Sequence, residues 1–209
     1  YQLLNDNGVL VLEVPDLNSL IEKVGFDTIY HEHRHYYSEK SLNKILCQKK
    51  FHIFKIEKIS YMAGSIRVYA KKNKTKFKKK FSSVSLSDFK KFKKKIKHVS
   101  GKIISFVENK NLNKMNVFGL GAATKGNTLL NYCKFTEKNI NFILDKSKLK
   151  INKYTPGSGI KIVDEKKIKN IDSILILPWN ITKHLEKKYK NDKNSVISIQ
   201  KIVKKLNER

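Results

Sequence analysis

Residues 115–145, MNVFGLGAATKGNTLLNYCKFTEKNINFILD, decide the fold. An apolar run from Met115 to Phe118 leads into a glycine-bearing loop, Gly119 to Gly126, and then into a helical stretch, Asn127 to Cys133. A second apolar run, Ile140 to Asp145, ends on an acid. Short continuous apolar runs suit strands covered on both faces, and their alternation with helices is the signature of a parallel sheet. Downstream the alternation continues. Ile160 to Val163 and Ser173 to Leu177 read as strands, Ile181 to Lys190 as a helix and Ser195 to Ile199 as a strand. Residues 113–209 are therefore expected to form a small Rossmann-like parallel-sheet domain.

Working upstream, Ser85-Leu86-Ser87-Asp88 offers N-cap chemistry to a long helix reaching Asn109. Phe89, Phe92, Ile96, Val99, Ile103, Phe106 and Val107 recur there near the helical period. With the lysine-rich stretch before it, residues 73–112 read as a linker and bridging helix. In residues 1–72, Gly8 to Pro15 (GVLVLEVP) reads as a strand buried on both faces and Leu17 to Val24 as a helix. Ser38 is an N-cap for a helix through Lys49, with Leu42, Ile45 and Leu46 on one face. Phe51 to Ile59 and Ser65 to Ala70 follow as strands joined through Ala63-Gly64. The chain opens on Tyr1, inside what reads as a helix end running into a strand, and is taken as the C-terminal part of a longer protein.

Lys and Arg number 45 against 18 Asp and Glu, a formal net charge of +27. That charge invites a nucleic-acid reading, but the arginines are only Arg34, Arg67 and Arg209, and phosphate and guanine recognition favours the guanidinium fork. The lysines spread from Lys23 to Lys205 and read as a solvated coat whose positive potential attracts an anionic substrate. No nucleic-acid partner is expected, and no membrane partner, since no apolar run approaches a membrane span. Without a signal peptide, and with Cys47 and Cys133 far apart and read as reduced core residues, the location expected is cytoplasmic.

The densest chemistry lies at Tyr30-His31-Glu32-His33, with His35, Tyr36 and Tyr37 behind it. Histidine titrates near neutrality and glutamate can hold its tautomer, so the cluster suits proton transfer. In an extended segment Tyr30 and Glu32 face away from His31 and His33; a tight turn relaxes that separation. A polar surface loop is the plainer alternative. The pattern H-E-H lacks the H-E-x-x-H spacing of helical zinc sites, so no metal is assigned to this chain. The loop Gly119 to Gly126 departs from both the P-loop and the G-x-G-x-x-G fingerprint, yet its amides, the helix start and Lys125 suit a phosphate. Asp145 stands where a ribose-binding acid is expected in a nicotinamide dinucleotide site. Arg67 could bind a diphosphate or pair with Glu13 or Glu57, and Glu13 could face an active-site mouth.

The run GVLVLEVPDLNSLIEKVGFDTIYHEHRHYYSEKSLNKIL with MAGSIRVYAKK resembles the distal half of a class I S-adenosylmethionine-dependent methyltransferase domain. The stretches GLGAATKGNTLLNY, ILDKSKLKINKYTPGSGIKI and ILILPWN are similar to the C-terminal Rossmann-like domain of the nucleotide-sugar C-methyltransferases. Those enzymes methylate C3 of 4-keto-deoxyhexoses, a step of deoxysugar biosynthesis. The resemblance implies an α/β chain: the distal part of a methyltransferase sheet, then the Rossmann-like domain. It implies His33 as the base, with His31 as its substitute, Glu32 orienting it and Tyr30 donating to the enolate oxygen. Arg67, Gly119, Gly121, Lys125, Asn127, Trp179 and Asn180 are the implied contacts to the nucleotide-sugar, and Glu13 one to S-adenosylmethionine. The family's zinc module and main cofactor loop are expected in a preceding part, so the chain alone is expected to be inactive. The runner-up readings are a non-catalytic nucleotide-binding module and a fragment of a NAD-dependent oxidoreductase.

Overall fold

The computed structural model describes residues 1–60, 64–74, 77, 79–168, 170–178, 182–189 and 195–208. The chain divides into two compact units, Tyr1–Gly25 with His33–Lys93, and Phe26–Glu32 with Lys94–Arg209.

The first unit is built on β1 (Leu10–Pro15), α1 (Leu17–Glu22), α2 (Glu39–Gln48), β2 (His52–Ile59) and β3 (Ser65–Lys71). Its three-stranded sheet runs β1-β3-β2, with β3 antiparallel to both neighbours. β1 and β2 are thus parallel to each other, with an antiparallel strand between them. Alternation sets the register: Ile66, Val68 and Ala70 are fully buried on one face of β3, against Leu42 and Leu46 of α2 and Phe51 and Ile53. The opposite face carries a row of paired charges, because Glu13, Arg67 and Glu57 are cross-strand neighbours. β1 was expected to be buried on both faces. It alternates instead, with Val11 at 49% exposure, because it has one strand neighbour and one packed face.

α2 starts where its serines dictate. The Ser38 hydroxyl accepts from the Ser41 amide and the Ser41 hydroxyl accepts from the Ser38 amide, a reciprocal cap. Cys47 lies one residue past the buried Leu46 and is exposed, so it is not a core residue; Cys133 is buried, and burial pushes its thiol up to about 12. Neither forms a disulfide.

α3 (Leu86–Leu112) begins in the first unit and continues through the second. After it come β4 (Val117–Leu120), α4 (Thr124–Tyr132), β5 (Phe142–Asp145), β6 (Ile162–Asp164), β7 (Ser173–Ile176), α5 (Thr182–Tyr189), β8 (Ser195–Ser198) and α6 (Ile199–Asn207). The five strands are all parallel in the order β6-β5-β4-β7-β8. Every residue of β4 and β7 is buried, as central strands of a two-sided parallel sheet require. The strand order reverses at β4: β5 and β6 lie to one side, β7 and β8 to the other. In such sheets the crevice outside the carboxyl ends at the reversal is where ligands gather. The α/β class and the Rossmann-like arrangement are as expected from the sequence.

Candidate functional site

At the reversal point the loop after β4 is closed by its own chain. The Asp145 carboxylate, at the end of β5, accepts from the Ala122 amide at 2.7 Å and from the Ser147 amide at 2.8 Å. Lys150 donates to the Ala122 carbonyl at 2.8 Å. This acid is therefore spent on the glycine loop, which removes the main support for a ribose-binding role. Gly121 has φ +88, and a Cβ there would lie 2.9 Å from the Pro178 ring. Gly119 belongs to β4, and the space a Cβ would need is filled by Ile143. Both glycines are dictated by close packing and, at Gly121, by the left-handed backbone.

α4 opens at Thr124 with Ala123 as a cap that supplies no side-chain hydrogen bond. Its first amides thus receive no acceptor from the cap side chain, and a helix start in that state favours an anion. Lys125 sits in this first turn at 8% exposure. Burial pulls its ammonium below its ordinary pKa, and the Asp27 carboxylate works against that pull. Further along α4, the Asn131 amide donates to the Asn127 and Pro156 carbonyls at 2.8 and 3.0 Å, so Asn127 and Pro156-Gly157 lie beside the same helix. Trp179 and Asn180, which come after β7 in the sequence, lie outside the described residues.

The segment 26–32 packs with this second unit. Its 3-10 turn, Phe26–Thr28, rests on α4, and the Phe26 and Tyr132 rings are 4.9 Å apart. Asp27 and Thr28 are buried with it. The chain bends at Tyr30 and turns at His31 and Glu32, so the turn alternative to the extended one holds. Tyr30 is half-buried; burial first, then the charges of Glu32 and Asp27, push its phenol pKa upward. It stays a proton donor at neutral pH. His31 and Glu32 are exposed, with the His31 ring edge-on to Tyr30 at 6.0 Å. His33, the next residue, is half-buried in the first unit and stacks on Tyr36 at 6.3 Å. Sequence spacing singled out the four consecutive residues but missed Asp27, whose burial beneath the turn no pattern announces.

In the first unit, Arg67 donates two hydrogen bonds to Glu13, at 3.0 and 2.7 Å, and lies 3.9 Å from Glu57. These three belong to the first unit. Among the described residues no three His, Cys, Asp or Glu side chains converge to hold a metal ion, and no helix is long and apolar enough to cross a membrane.

Comparison with known proteins gives two findings. The model of the family described as C-methyltransferase C-terminal domain matches residues 61–198. C-methyltransferase NovU from Streptomyces niveus is 28% identical over 192 residues, covering 85% of this chain and 46% of the relative. The chain thus spans under half of that relative's length.

Proposed function

The chain belongs to the C-methyltransferase C-terminal domain family, and from that premise we propose that it carries the proton-transfer half of a sugar C-methylation. The substrate class is a nucleotide-linked 4-keto-deoxy sugar. One observation supports this reading above the others: the second unit holds both the Tyr30-to-Glu32 turn and the helix start at Lys125. A proton donor for a ketone oxygen, Tyr30, and an anion-binding helix start are what such a substrate needs, and the proposed base, His33, is the residue that follows the turn in sequence.

The chemistry follows from the groups. A C4 ketone acidifies the C3 proton; His33 removes it, and Glu32 orients the imidazole or shuttles the proton. Tyr30, kept protonated, donates to the oxygen that gains charge as the enolate forms. The diphosphate sits on the first turn of α4, where Gly121 lets the backbone turn tightly and Asn127 adds a polar side chain. Gly119, Trp179 and Asn180 complete the proposed contacts, and His31 is the substitute base. Arg67 would reach a phosphate only by giving up Glu13, so it is not among them.

S-adenosylmethionine is the methyl donor we propose for the whole protein, acting in the cytoplasm. Glu13, the one residue expected to contact that cofactor, accepts both Arg67 hydrogen bonds through Oε2. No step is derived through the cofactor. The same reasoning leaves residues 1–72 as the distal part of the catalytic domain and 113–209 as the substrate-holding one.

The test is wash-in of deuterium at C3 of a 4-keto-6-deoxy nucleotide sugar by a full-length enzyme carrying this chain. His33→Ala should reduce exchange by roughly a hundredfold or more. Exchange at the unmodified rate would remove His33 as base.

A further inference from the structure

Away from the reversal point, the second unit has a cavity of about 540 Å3 between α3, β8 and α6. None of Tyr30 to Glu32, and none of Gly119 to Asn127, lines it. Its floor is apolar: Phe106 of α3, Val196 of β8, and Ile202 and Leu206 of α6. Lys102 of α3 and Lys201 and Lys205 of α6 also line the cavity, with His98, Ser105 and Asn109 of α3. In a chain this rich in lysine, the presence of lysines decides nothing. Their placement does. Two helices, α3 and α6, contribute lysines to one cavity that they also line with apolar side chains, and among the described residues no carboxylate lines it.

The neighbouring charges sharpen the point. Lys201 donates to the Val196 carbonyl at 2.9 Å, which ties its stem to the strand. Lys204, one position before Lys205, faces Glu208 at 3.7 Å. Among the described residues Lys102 and Lys205 have no ion-pair partner. The volume falls within the range of small-molecule sites, which combine an apolar lining with a few placed polar groups. Two unpaired ammonium groups suit a dianionic head.

We propose that this cavity binds a small amphipathic phosphate monoester, its apolar body on Phe106, Ile202 and Leu206 and its phosphate between Lys102 and Lys205. The site is independent of the methyl-transfer reading.

Calorimetric titration of the chain with octyl phosphate, kept below its micelle concentration, tests the proposal, with inorganic phosphate and 1-octanol in parallel. Octyl phosphate should bind saturably at one site, and each of the others at least about tenfold more weakly. The double substitution Lys102→Gln/Lys205→Gln should weaken octyl phosphate by about tenfold. Lys91→Gln/Lys94→Gln removes the same charge from an exposed stretch of α3 and should leave affinity within about twofold. Leu206→Asp should abolish binding while circular dichroism reports an unchanged fold; should it unfold, the lysine pairs decide alone. Absence of saturable binding overturns the site. So does equal weakening by the two lysine pairs, which would mean general attraction to a basic surface. Equal binding of inorganic phosphate or octanol overturns it as well, since half the site would then be idle.

Discussion

Glu39 is 2% exposed at the start of α2, a place where an isolated carboxylate would be costly. Burial pushes its pKa up, but the Ser82 amide at 2.9 Å and the Lys79 ammonium at 2.9 Å outweigh burial and hold it below the ordinary glutamate value. Through this side chain the segment 79–82 is tied to α2, and the Lys40 amide returns a bond to the Ser82 carbonyl at 3.0 Å. A folded pKa below the unfolded one means the unfolded chain binds the extra proton as pH falls. The stabilisation is fully present above the unfolded pKa and is lost on acidification through the folded one. Glu39→Gln should therefore cost about 2 kcal/mol near pH 7, with the gap closing as pH falls through the ordinary glutamate range and below it. Urea midpoints of both proteins across that range measure it; a gap that stays constant would show that the carboxylate's charge contributes nothing.

At the scale of elements, α2 is the helix whose limits its own side chains set most completely. Ser38→Ala removes one half of the reciprocal cap and should lower stability by about 1 kcal/mol. Ser41→Ala, which breaks the other half, should cost a similar or smaller amount, and thermal midpoints of the two variants compare them. Such local chemistry explains which elements could be read from the sequence. The cap at Ser38, the alternation of Ile66, Val68 and Ala70, and the apolar run at Ser173 to Ile176 each act within a few residues. Failures occur where distant packing decides. β4 was placed at Met115 to Phe118 but runs Val117–Leu120, because Gly119 is a strand residue making room for Ile143 rather than the first residue of a loop. α4 starts at Thr124 and takes in Gly126, which packs on Leu177. α6 was not anticipated, although its Ile199, Ile202 and Val203 are buried at helical spacing. For the candidate site, the cluster Tyr30 to His33 could be singled out from the sequence because its titratable side chains are consecutive. Its attachment to α4 through Phe26 and Asp27 could not, since that depends on contacts far along the chain.

At the scale of the whole molecule, the division into units predicts how stability is shared. Leu129 of α4 is fully buried, and Leu129→Ala should destabilise the second unit by about 2–5 kcal/mol. Amide exchange at Ile29, whose N–H bonds the Phe26 carbonyl at 3.1 Å, should speed up together with exchange in β4 and β7. Exchange in β3 should change far less. Hydrogen-exchange mass spectrometry resolves the two groups of peptides. If the peptide containing residues 26–32 instead keeps the protection of its sequence neighbours, the unit assignment fails.

That seven-residue excursion has a consequence for anyone recombining this family. A chimera made by swapping everything after Lys93 between two relatives would look modular on paper. Its α4 would arrive without the Phe26 and Asp27 it packs with here, and the heptapeptide left behind would meet a foreign helix. The unit of exchange is a discontinuous pair, residues 26–32 with residues 94–209, and a graft that respects it has to carry two crossovers more than the linear map suggests.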